Sequence, residues 1–306
     1  MQQGLCIIRK AALAVYLLVC WRAAARAGDD MPPGQLVSVG DAMLHVSCVG
    51  AGTPAVVFEA GLGGNSFDWT FVQARLAATH RACTYDRPGA GWSSRTAQPR
   101  DAATMAEELH GAMQKAGVPT PFILVGHSFG GLLSQNYLAR FPADVAGLVL
   151  VDSMHPQQFE RFTDGGVDVP VDPHAVLGHT PAFAATYGLP RSLWPLATRL
   201  AGADKARVFI VREMTAMLDI AKAVDGEARP SRPTRILVHG NRDWDQVYPD
   251  GRMEALWRAM QDDLATRFGA PPVTVVADSG HQIALDDPAA VVAAVEDVAR
   301  DVARSP

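Results

Sequence analysis

The apolar positions of the chain form short runs that are separated by amphipathic segments. Three early runs, at residues 36–40, 43–50 and 55–61, have the length of strands, and the turn-forming pair Gly40-Asp41 joins the first two. Later runs, each separated from the next by a segment long enough for a helix, lie at 81–86, 122–126, 147–153, 235–240 and 273–280. This alternation predicts an α/β protein with a mostly parallel eight-stranded sheet and helices on both faces.

Capping residues mark two of the predicted helices. Asp101 precedes an amphipathic stretch that ends at Gly117, a residue suited to a left-handed C-terminal stop. Asp287 and Pro288 stand as the cap and the first residue of a last helix. The sequence therefore predicts one helix between Asp101 and Gly117 and another that begins at Pro288.

One long segment breaks the alternation of strands and helices. Residues 154–233 contain no strand-like run, and prolines interrupt their helix-like pieces. We interpret this segment as an inserted helical cap, which divides the core into residues 28–153 and 234–306. Its aromatic residues, which either roof an apolar pocket or form the cap's own small core, are Phe159, Phe162, Phe183, Tyr187, Trp194 and Phe209.

The first 27 residues have the order of regions found in a secretory signal peptide. Arg9 and Lys10 precede the apolar stretch 11–21, and small residues surround a cleavage site after Ala27. The alternative is a permanent anchor, but this apolar stretch falls short of the ~20 residues that span a bilayer. We therefore expect an exported protein, periplasmic or secreted, with no stable membrane span after cleavage.

Composition narrows the class of protein further. A chain of 306 residues with 48% hydrophobic residues and a net charge of −5 has enough apolar residues for one large core. Its basic residues are scattered and form no stripe that would follow a phosphate backbone, which argues against a nucleic-acid partner. The oligomeric state stays open.

The segment 121–142 carries the first chemical signal. Residues 126–130 read Gly-His-Ser-Phe-Gly and lie between a strand and a helix. Such a turn is tight, so glycines flank the serine and its hydroxyl projects from the edge of the sheet. This context favours a nucleophile at Ser128 over a glycine-rich turn with a capping serine.

With this motif the chain resembles the α/β-hydrolase family from about residue 36 to the C-terminus. Four further stretches are similar to family signatures: 59–64 to the oxyanion loop, 85–93 to the turn after the fourth strand, 239–243 to the turn with the acid, and 279–288 to the turn with the histidine. The resemblance implies the α/β-hydrolase fold and a small-molecule substrate, with no cofactor.

The resemblance also implies a catalytic triad of Ser128, Asp243 and His281. A serine hydroxyl attacks only when an imidazole takes its proton, and a carboxylate holds that imidazole in the right tautomer. Asp152 is the alternative acid, because some relatives place theirs after the sixth strand. Asp245 is expected to face solvent or to cap a helix.

The backbone N–H groups of Leu62 and Phe129 are the expected oxyanion hole. Glu59-Ala60 departs from the commonest family pattern, which leaves the bracing of this loop open. Asp86 and Arg87 are expected to pair with nearby backbone or with each other.

The other histidines give no metal site in this interpretation. His174 and His179 lack a third ligand at a suitable spacing, so we expect no metal. His155 either lines the pocket or lies at the entrance to the cap.

Two cysteines remain after removal of the signal peptide. In the family fold the second strand lies beside the fourth, and these strands carry Cys48 and Cys83. In an exported protein this favours a disulfide. The alternative is a pair of buried free thiols.

A serine nucleophile excludes the aspartate-dependent relatives that open epoxides or displace halide, and leaves acyl transfer to water. We therefore expect a carboxylic ester hydrolase that forms an acyl-enzyme. The alternatives within enzymes are a small-substrate amidase or aminopeptidase and a thioesterase. A non-catalytic ligand-binding protein of the same fold is the alternative from another class.

Overall fold

The structure is a computed structural model that describes residues 33–168, 196, 199–200, 204–246 and 248–304, without the side chains of residues 243 and 246. Its strands are β1 Gln35–Val39, β2 Ala42–Val49, β3 Val56–Glu59, β4 Ala82–Tyr85, β5 Phe122–His127, β6 Val145–Val151, β7 Thr234–His239 and β8 Thr274–Val276. Its α-helices are α1 Thr70–Leu76, α2 Ala102–Lys115, α3 Phe129–Arg140, α4 Gln158–Asp164, α5 Asp204–Asp225, α6 Arg252–Phe268, α7 Ile283–Asp286 and α8 Pro288–Arg304.

The eight strands form one sheet in the order β1-β2-β4-β3-β5-β6-β7-β8. β2 pairs antiparallel with both β1 and β4, and all other pairs are parallel. The predicted eight-stranded, mostly parallel sheet is therefore confirmed. Because parallel strands end at one edge, the loops after β3, β5, β6 and β7 meet there.

Apolar side chains cover both faces of the sheet, as the alternation along β5 illustrates. Leu124 packs with α2, α3 and α6, whereas Ile123 and Val125 face the other way and pack with α1 and α8. Of the strands in the middle of the sheet, β5 is fully buried and β6 is buried at all but one residue, which is why both appear in the sequence as nearly continuous apolar runs.

A third apolar cluster joins α5 to the start of α3. Phe209, Ile210 and Met214 of α5 are buried against Phe129 and Leu132 of α3. The described residues between 154 and 233 include α4 and α5 and no strand, in agreement with the helical interpretation of the segment. The limits of the predicted cap, 154–233, stay a prediction, and Phe183, Tyr187 and Trp194 lie outside the described residues.

The predicted capping residues have the expected contacts. The Asp101 side chain accepts a hydrogen bond from the Thr104 N–H, and Gly117 takes a left-handed conformation with a φ of 64°. The Asp287 carboxylate accepts from the N–H groups of Ala289 and Ala290 at the start of α8.

Cys48 and Cys83 are bonded to each other as a disulfide, as predicted. They face each other in the β2–β4 register, with their Cα atoms 4.0 Å apart. The bond links the two antiparallel strands at one side of the sheet.

The predicted signal peptide, residues 1–27, lies outside the described residues. Within the part that is described, no helix combines the length and the apolar character needed to cross a bilayer.

Candidate active site

Ser128 occupies a strained turn between β5 and α3. Its φ of 52° and ψ of −121° are rare for a residue with a side chain, and they cost of order 1–3 kcal/mol. The flanking glycines are required sterically, because a Cβ at Gly126 would lie 2.3 Å from the Ser134 Oγ and one at Gly130 would lie 2.4 Å from the Ala60 carbonyl oxygen. The turn leaves Ser128 half-buried at the edge of the sheet.

Ser128 lies beside His281, and His281 lies beside a carboxylate. The Ser128 Oγ is 3.1 Å from the His281 Nε2, and the His281 Nδ1 is 2.5 Å from the Asp152 Oδ2. This is the order of contacts that activates a serine: a hydroxyl, an imidazole that can accept its proton, and an acid that orients the imidazole.

The carboxylate that contacts His281 is that of Asp152, which the sequence analysis gave as the alternative acid to Asp243. The reason is strand register: His127 of β5 pairs with Val151 of β6, so the residues that follow, Ser128 and Asp152, leave the sheet side by side. The Asp243 side chain lies outside the description, and its backbone begins a short 3-10 helix beyond β7. Asp245 forms an ion pair with Arg242 at the surface.

Asp152 is fully buried and has four hydrogen-bond donors. Besides His281, its carboxylate accepts from the His239 Nδ1 at 2.6 Å, the Trp257 Nε1 at 2.8 Å and the His239 backbone N–H at 3.3 Å. Burial alone would raise the pKa of Asp152, but the hydrogen bonds and charges of His239 and His281 outweigh it and hold this pKa well below its usual range. Asp152 is therefore a fixed anion.

His239 is a site residue that the sequence analysis missed. It is the last residue of β7, and its ring lies between Asp152 and Glu254, with the Nε2 3.2 Å from the Glu254 Oε2. Burial lowers the pKa of His239, but the two carboxylates outweigh this effect and raise it above its ordinary value. In the sequence this histidine stands at the end of an apolar strand, so no local pattern distinguishes it from a buried structural residue.

The predicted oxyanion donors belong to the two segments that flank Ser128. Leu62 belongs to the loop after β3, and a Cβ at the neighbouring Gly61 would lie 3.4 Å from the Ser128 Cβ, so this loop passes directly over the nucleophile. Phe129 begins α3. Within the described part of the chain, neither the Leu62 N–H nor the Phe129 N–H donates to a protein acceptor, which leaves both free to bind an anion.

Arg87 braces this loop, which answers the question raised by Glu59-Ala60. Its Nη1 donates to the Glu59 carboxylate at 2.6 Å and to the Ala60 carbonyl at 2.6 Å, and its Nη2 donates to the Gly61 carbonyl at 2.8 Å. Two more bonds, from Nε at 2.7 Å and Nη2 at 2.8 Å, reach the Glu213 carboxylate of α5. All five N–H donors of the guanidinium are thus used.

The neighbouring residue, Asp86, also has a structural role. Its carboxylate accepts from the N–H groups of Ser66 and Trp92 and contacts the His45 Nδ1 at 2.9 Å. The expectation of backbone partners holds for both Asp86 and Arg87, although they do not pair with each other in these contacts.

His127, which precedes the nucleophile, contacts the backbone of the active-site histidine. Its Nε2 is 2.8 Å from the His281 carbonyl oxygen. Burial and the charge of His281 lower the pKa of His127 to about 3. His127 is therefore neutral at physiological pH and donates this hydrogen bond, which fixes the backbone that carries His281.

Three side chains of the site are close enough to suggest a metal. Ligand atoms of Asp152, His239 and His281 lie within 4.8 Å of one another. The two imidazoles, however, hydrogen-bond directly to the carboxylate, so a metal ion would have to break these bonds. His155 is buried away from this group with its Nε2 3.0 Å from Asp263, and His174 and His179 lie outside the described residues.

Parts of the chain are similar in sequence to known proteins. Among curated proteins, an AB hydrolase superfamily protein of Gibberella zeae is 38% identical over 104 residues, which are 33% of this chain and 32% of that protein. A Klebsiella pneumoniae protein named as a carbamate hydrolase, RutD, is 42% identical over 105 residues, which are 33% of this chain and 38% of that protein. The matched segments thus span about a third of each relative.

Solved structures match over most of the chain. An esterase from Exiguobacterium antarcticum has a TM-score of 0.61 at 21% identity, covering 88% of this chain and 99% of that chain. A thermophilic esterase from Thermogutta terrifontis has a TM-score of 0.63 at 18% identity, covering 89% of this chain and 99% of that chain. At these identities the likeness concerns the fold alone. Residues 56–295 match the alpha/beta hydrolase family as a whole, and the chain belongs to that family.

Proposed function

We propose that the protein is a serine hydrolase that cleaves carboxylic esters of small molecules through an acyl-enzyme. The observation that carries the proposal is the continuous chain of contacts from the Ser128 Oγ through the His281 ring to the Asp152 carboxylate. A binding protein has no need of a strained serine whose hydroxyl touches an imidazole that a buried carboxylate orients.

Acylation follows from these contacts. His281 accepts the proton of Ser128 through its Nε2 as the Oγ attacks the ester carbonyl, and Asp152 stabilises the imidazolium that forms. The carbonyl oxygen becomes an oxyanion, and the N–H groups of Leu62 and Phe129 bind it. When the intermediate collapses, the proton on His281 passes to the departing alkoxide, which leaves as an alcohol, and Ser128 retains the acyl group.

Deacylation uses the same groups in a second cycle. Water enters where the alcohol left, and His281 takes one of its protons as the oxygen attacks the acyl carbonyl. The second tetrahedral intermediate collapses with return of the proton to the Ser128 Oγ. The acid product leaves and the enzyme is restored.

The surroundings of the nucleophile support an apolar acyl group. Leu62 and Phe159, both partly exposed, extend the buried cluster that includes Phe129 and Met154. The fold neighbours named as esterases add support for ester cleavage. Amide, thioester and carbamate cleavage use the same acyl transfer, so they belong in the test as competing substrates.

The test combines covalent labelling with a substrate panel. We expect a fluorophosphonate probe to label Ser128, as located by peptide mass spectrometry, and Ser128→Ala and His281→Ala to abolish both labelling and ester hydrolysis. Ser38→Ala is the matched control, because Ser38 is an exposed serine of β1. The panel contains p-nitrophenyl esters of graded length beside an aminoacyl anilide, a thioester and a carbamate. Absence of labelling together with absence of turnover across the panel would refute the proposal in favour of a binding protein.

We also propose that the enzyme works after export. The signal-like segment 1–27 and the Cys48–Cys83 disulfide support this, since disulfides persist in oxidising compartments. The test is N-terminal sequencing of the protein from the compartment that contains it: we expect Gly28 as the first residue, and an intact N-terminus on cytosolic protein would contradict the proposal.

A further inference from the structure

The ring of His239 lies between two carboxylates. Its Nδ1 is 2.6 Å from the Asp152 Oδ2, and its Nε2 is 3.2 Å from the Glu254 Oε2. The side chains of His239 and Asp152 have no exposed surface, and that of Glu254 is 3% exposed. Water is therefore not available to take the place of either partner.

Hydrogen-bond chemistry decides the protonation state of this ring. A neutral imidazole has one donor and one acceptor nitrogen, whereas an ionised carboxylate only accepts. Two carboxylate partners therefore both receive a hydrogen bond only if both ring nitrogens carry protons. Asp152 is held ionised by its four donors, and Glu254 forms an ion pair with the Arg258 Nε at 3.0 Å.

We propose that His239 is an imidazolium in the resting enzyme and a positioning residue that acts through Asp152 to set the pH range in which His281 works as a base. The proposal rests on the proposed function for its kinetic consequence, but the charge on His239 is a property of the folded protein and is measurable without any substrate. It assigns to His239 a role that the triad alone does not contain.

The effect on catalysis follows from sharing one oxygen. The Asp152 Oδ2 accepts from both His239 and His281, and the ring centroids of the two histidines are 6.5 Å apart. A fixed cation on His239 partly neutralises the negative charge of Asp152, and it repels a second positive charge on His281. The proton that His281 takes from Ser128 therefore creates a second positive charge beside the first, and the Asp152 carboxylate faces both.

The other groups around His239 do not reverse this balance. On α6, Arg258 donates to the His239 carbonyl at 2.8 Å, and its charge is matched by Glu254. Also on α6, Trp257 donates to the second oxygen of Asp152, and Trp244 after β7 presents an edge at 6.3 Å between ring centroids. Among the described residues, these contacts place two carboxylates, one arginine and the titratable ring of His281 around His239.

The first experiment measures the protonation state of the His239 ring directly by NMR. In protein labelled with ¹⁵N-histidine, the resonances that disappear in His239→Gln identify this ring. We expect both of its nitrogens to have imidazolium shifts at pH 7 and to keep them well above the pH at which an exposed histidine titrates. A neutral ring at pH 7 would overturn the proposal, whether or not the protein turns out to be a hydrolase.

The second experiment follows kcat/KM for the best ester against pH. Removing the cation by His239→Gln, or discharging it by Glu254→Gln, should move the acidic limb of the profile to higher pH by about one unit, the lower end of the shift expected from a nearby like charge. The matched control is His110→Gln, because His110 also pairs with a carboxylate, Asp144, at 2.7 Å but lies outside the active site.

The two experiments distinguish a failure of the role of His239 in the pH dependence from a failure of the proposed function. A lower kcat in both variants with an unmoved acidic limb would overturn the role in setting the pH range and leave His239 as a packing residue. If ester hydrolysis itself is absent while the NMR shows an imidazolium, then the proposed function fails and the assigned charge stands.

Discussion

Asp152→Asn tests which carboxylate orients the active-site histidine. The substitution keeps the shape of the side chain and removes its charge. Asp152 accepts from the Nδ1 atoms of His281 and His239 on its Oδ2 and from Trp257 on its Oδ1. If the asparagine carbonyl keeps the Trp257 bond, its amide faces two imidazole donors. His281 must then turn its proton to Nε2, where it can no longer accept the proton of Ser128.

The size of the loss can be worked from these contacts. Two charge-assisted hydrogen bonds are lost at about 1.5–3 kcal/mol each, so the barrier should rise by about 3–6 kcal/mol. A loss of about 10⁴ in turnover, the effect of this substitution in a serine protease, corresponds to about 5.5 kcal/mol and falls inside this range. We therefore expect kcat to fall by about 10²–10⁴, while KM changes little because Asp152 is buried beneath His281.

The assay is steady-state hydrolysis of the best ester by Asp152→Asn, Asp243→Asn and Asp245→Asn, with circular dichroism to confirm that each variant is folded. Asp243→Asn and Asp245→Asn should keep kcat within about tenfold of the parent, a limit of about 1.4 kcal/mol. Nearly full activity in Asp152→Asn, or a loss of several orders of magnitude in Asp243→Asn, would refute the assignment of the acid and leave the roles of Ser128 and His281 intact.

Three other predictions concern the frame of the site. Arg87→Lys keeps the charge but replaces five N–H donors by three, so we expect kcat to fall about 10²-fold, as on loss of an oxyanion donor. The control is Arg75→Lys on the exposed face of α1, which should leave kcat unchanged. An unchanged kcat in Arg87→Lys would show that Arg87 does not hold the loop. Replacing both cysteines, Cys48→Ser with Cys83→Ser, should lower the free energy of unfolding in urea by about 2–4 kcal/mol and leave kcat unaltered; equal stability would contradict this. Burial raises the pKa of Asp68 from 3.8 to about 7. Between these two pH values the folded protein keeps a proton on Asp68 that the unfolded protein has lost, so the free energy of unfolding should fall as the pH rises through this range. Asp68→Asn should therefore raise the melting temperature at pH 8 and change it little at pH 3.5, and the opposite pattern would show that Asp68 is ionised without penalty.

The sequence predicted those parts of the site that have local determinants. The glycines around Ser128 reflect the steric requirement of a single turn. The succession of strands along the chain follows from the apolar runs and their spacing, so the sequence predicted both. His281 could be placed because its loop follows the last strand and ends at a capped helix. Each of these features is determined by a few consecutive residues.

The remaining parts depend on contacts between distant segments. Whether Asp152 or Asp243 reaches His281 depends on the register of β5 against β6, which pairs His127 with Val151 and which no pattern in either strand specifies. Arg87 and Glu213 are separated by 126 residues, and nothing near either one indicates the other. His239 faces two carboxylates that come from other segments of the chain.

The buried ion pairs between α5 and the core also restrict how this enzyme can be recombined with its relatives. Glu213 is fully buried, contacts Arg87 at 2.7 Å and lies 3.7 Å from Arg100. A chimera that received this helix from another hydrolase without an acid at the matching position would bury Arg87 with two of its five hydrogen bonds gone, at a cost of about 3–5 kcal/mol. The arginine that supports the oxyanion loop would then be free to turn toward other acceptors. An exchange of the predicted cap that replaces α5 should thus also weaken the support of the loop after β3, unless the donor helix brings a carboxylate with it.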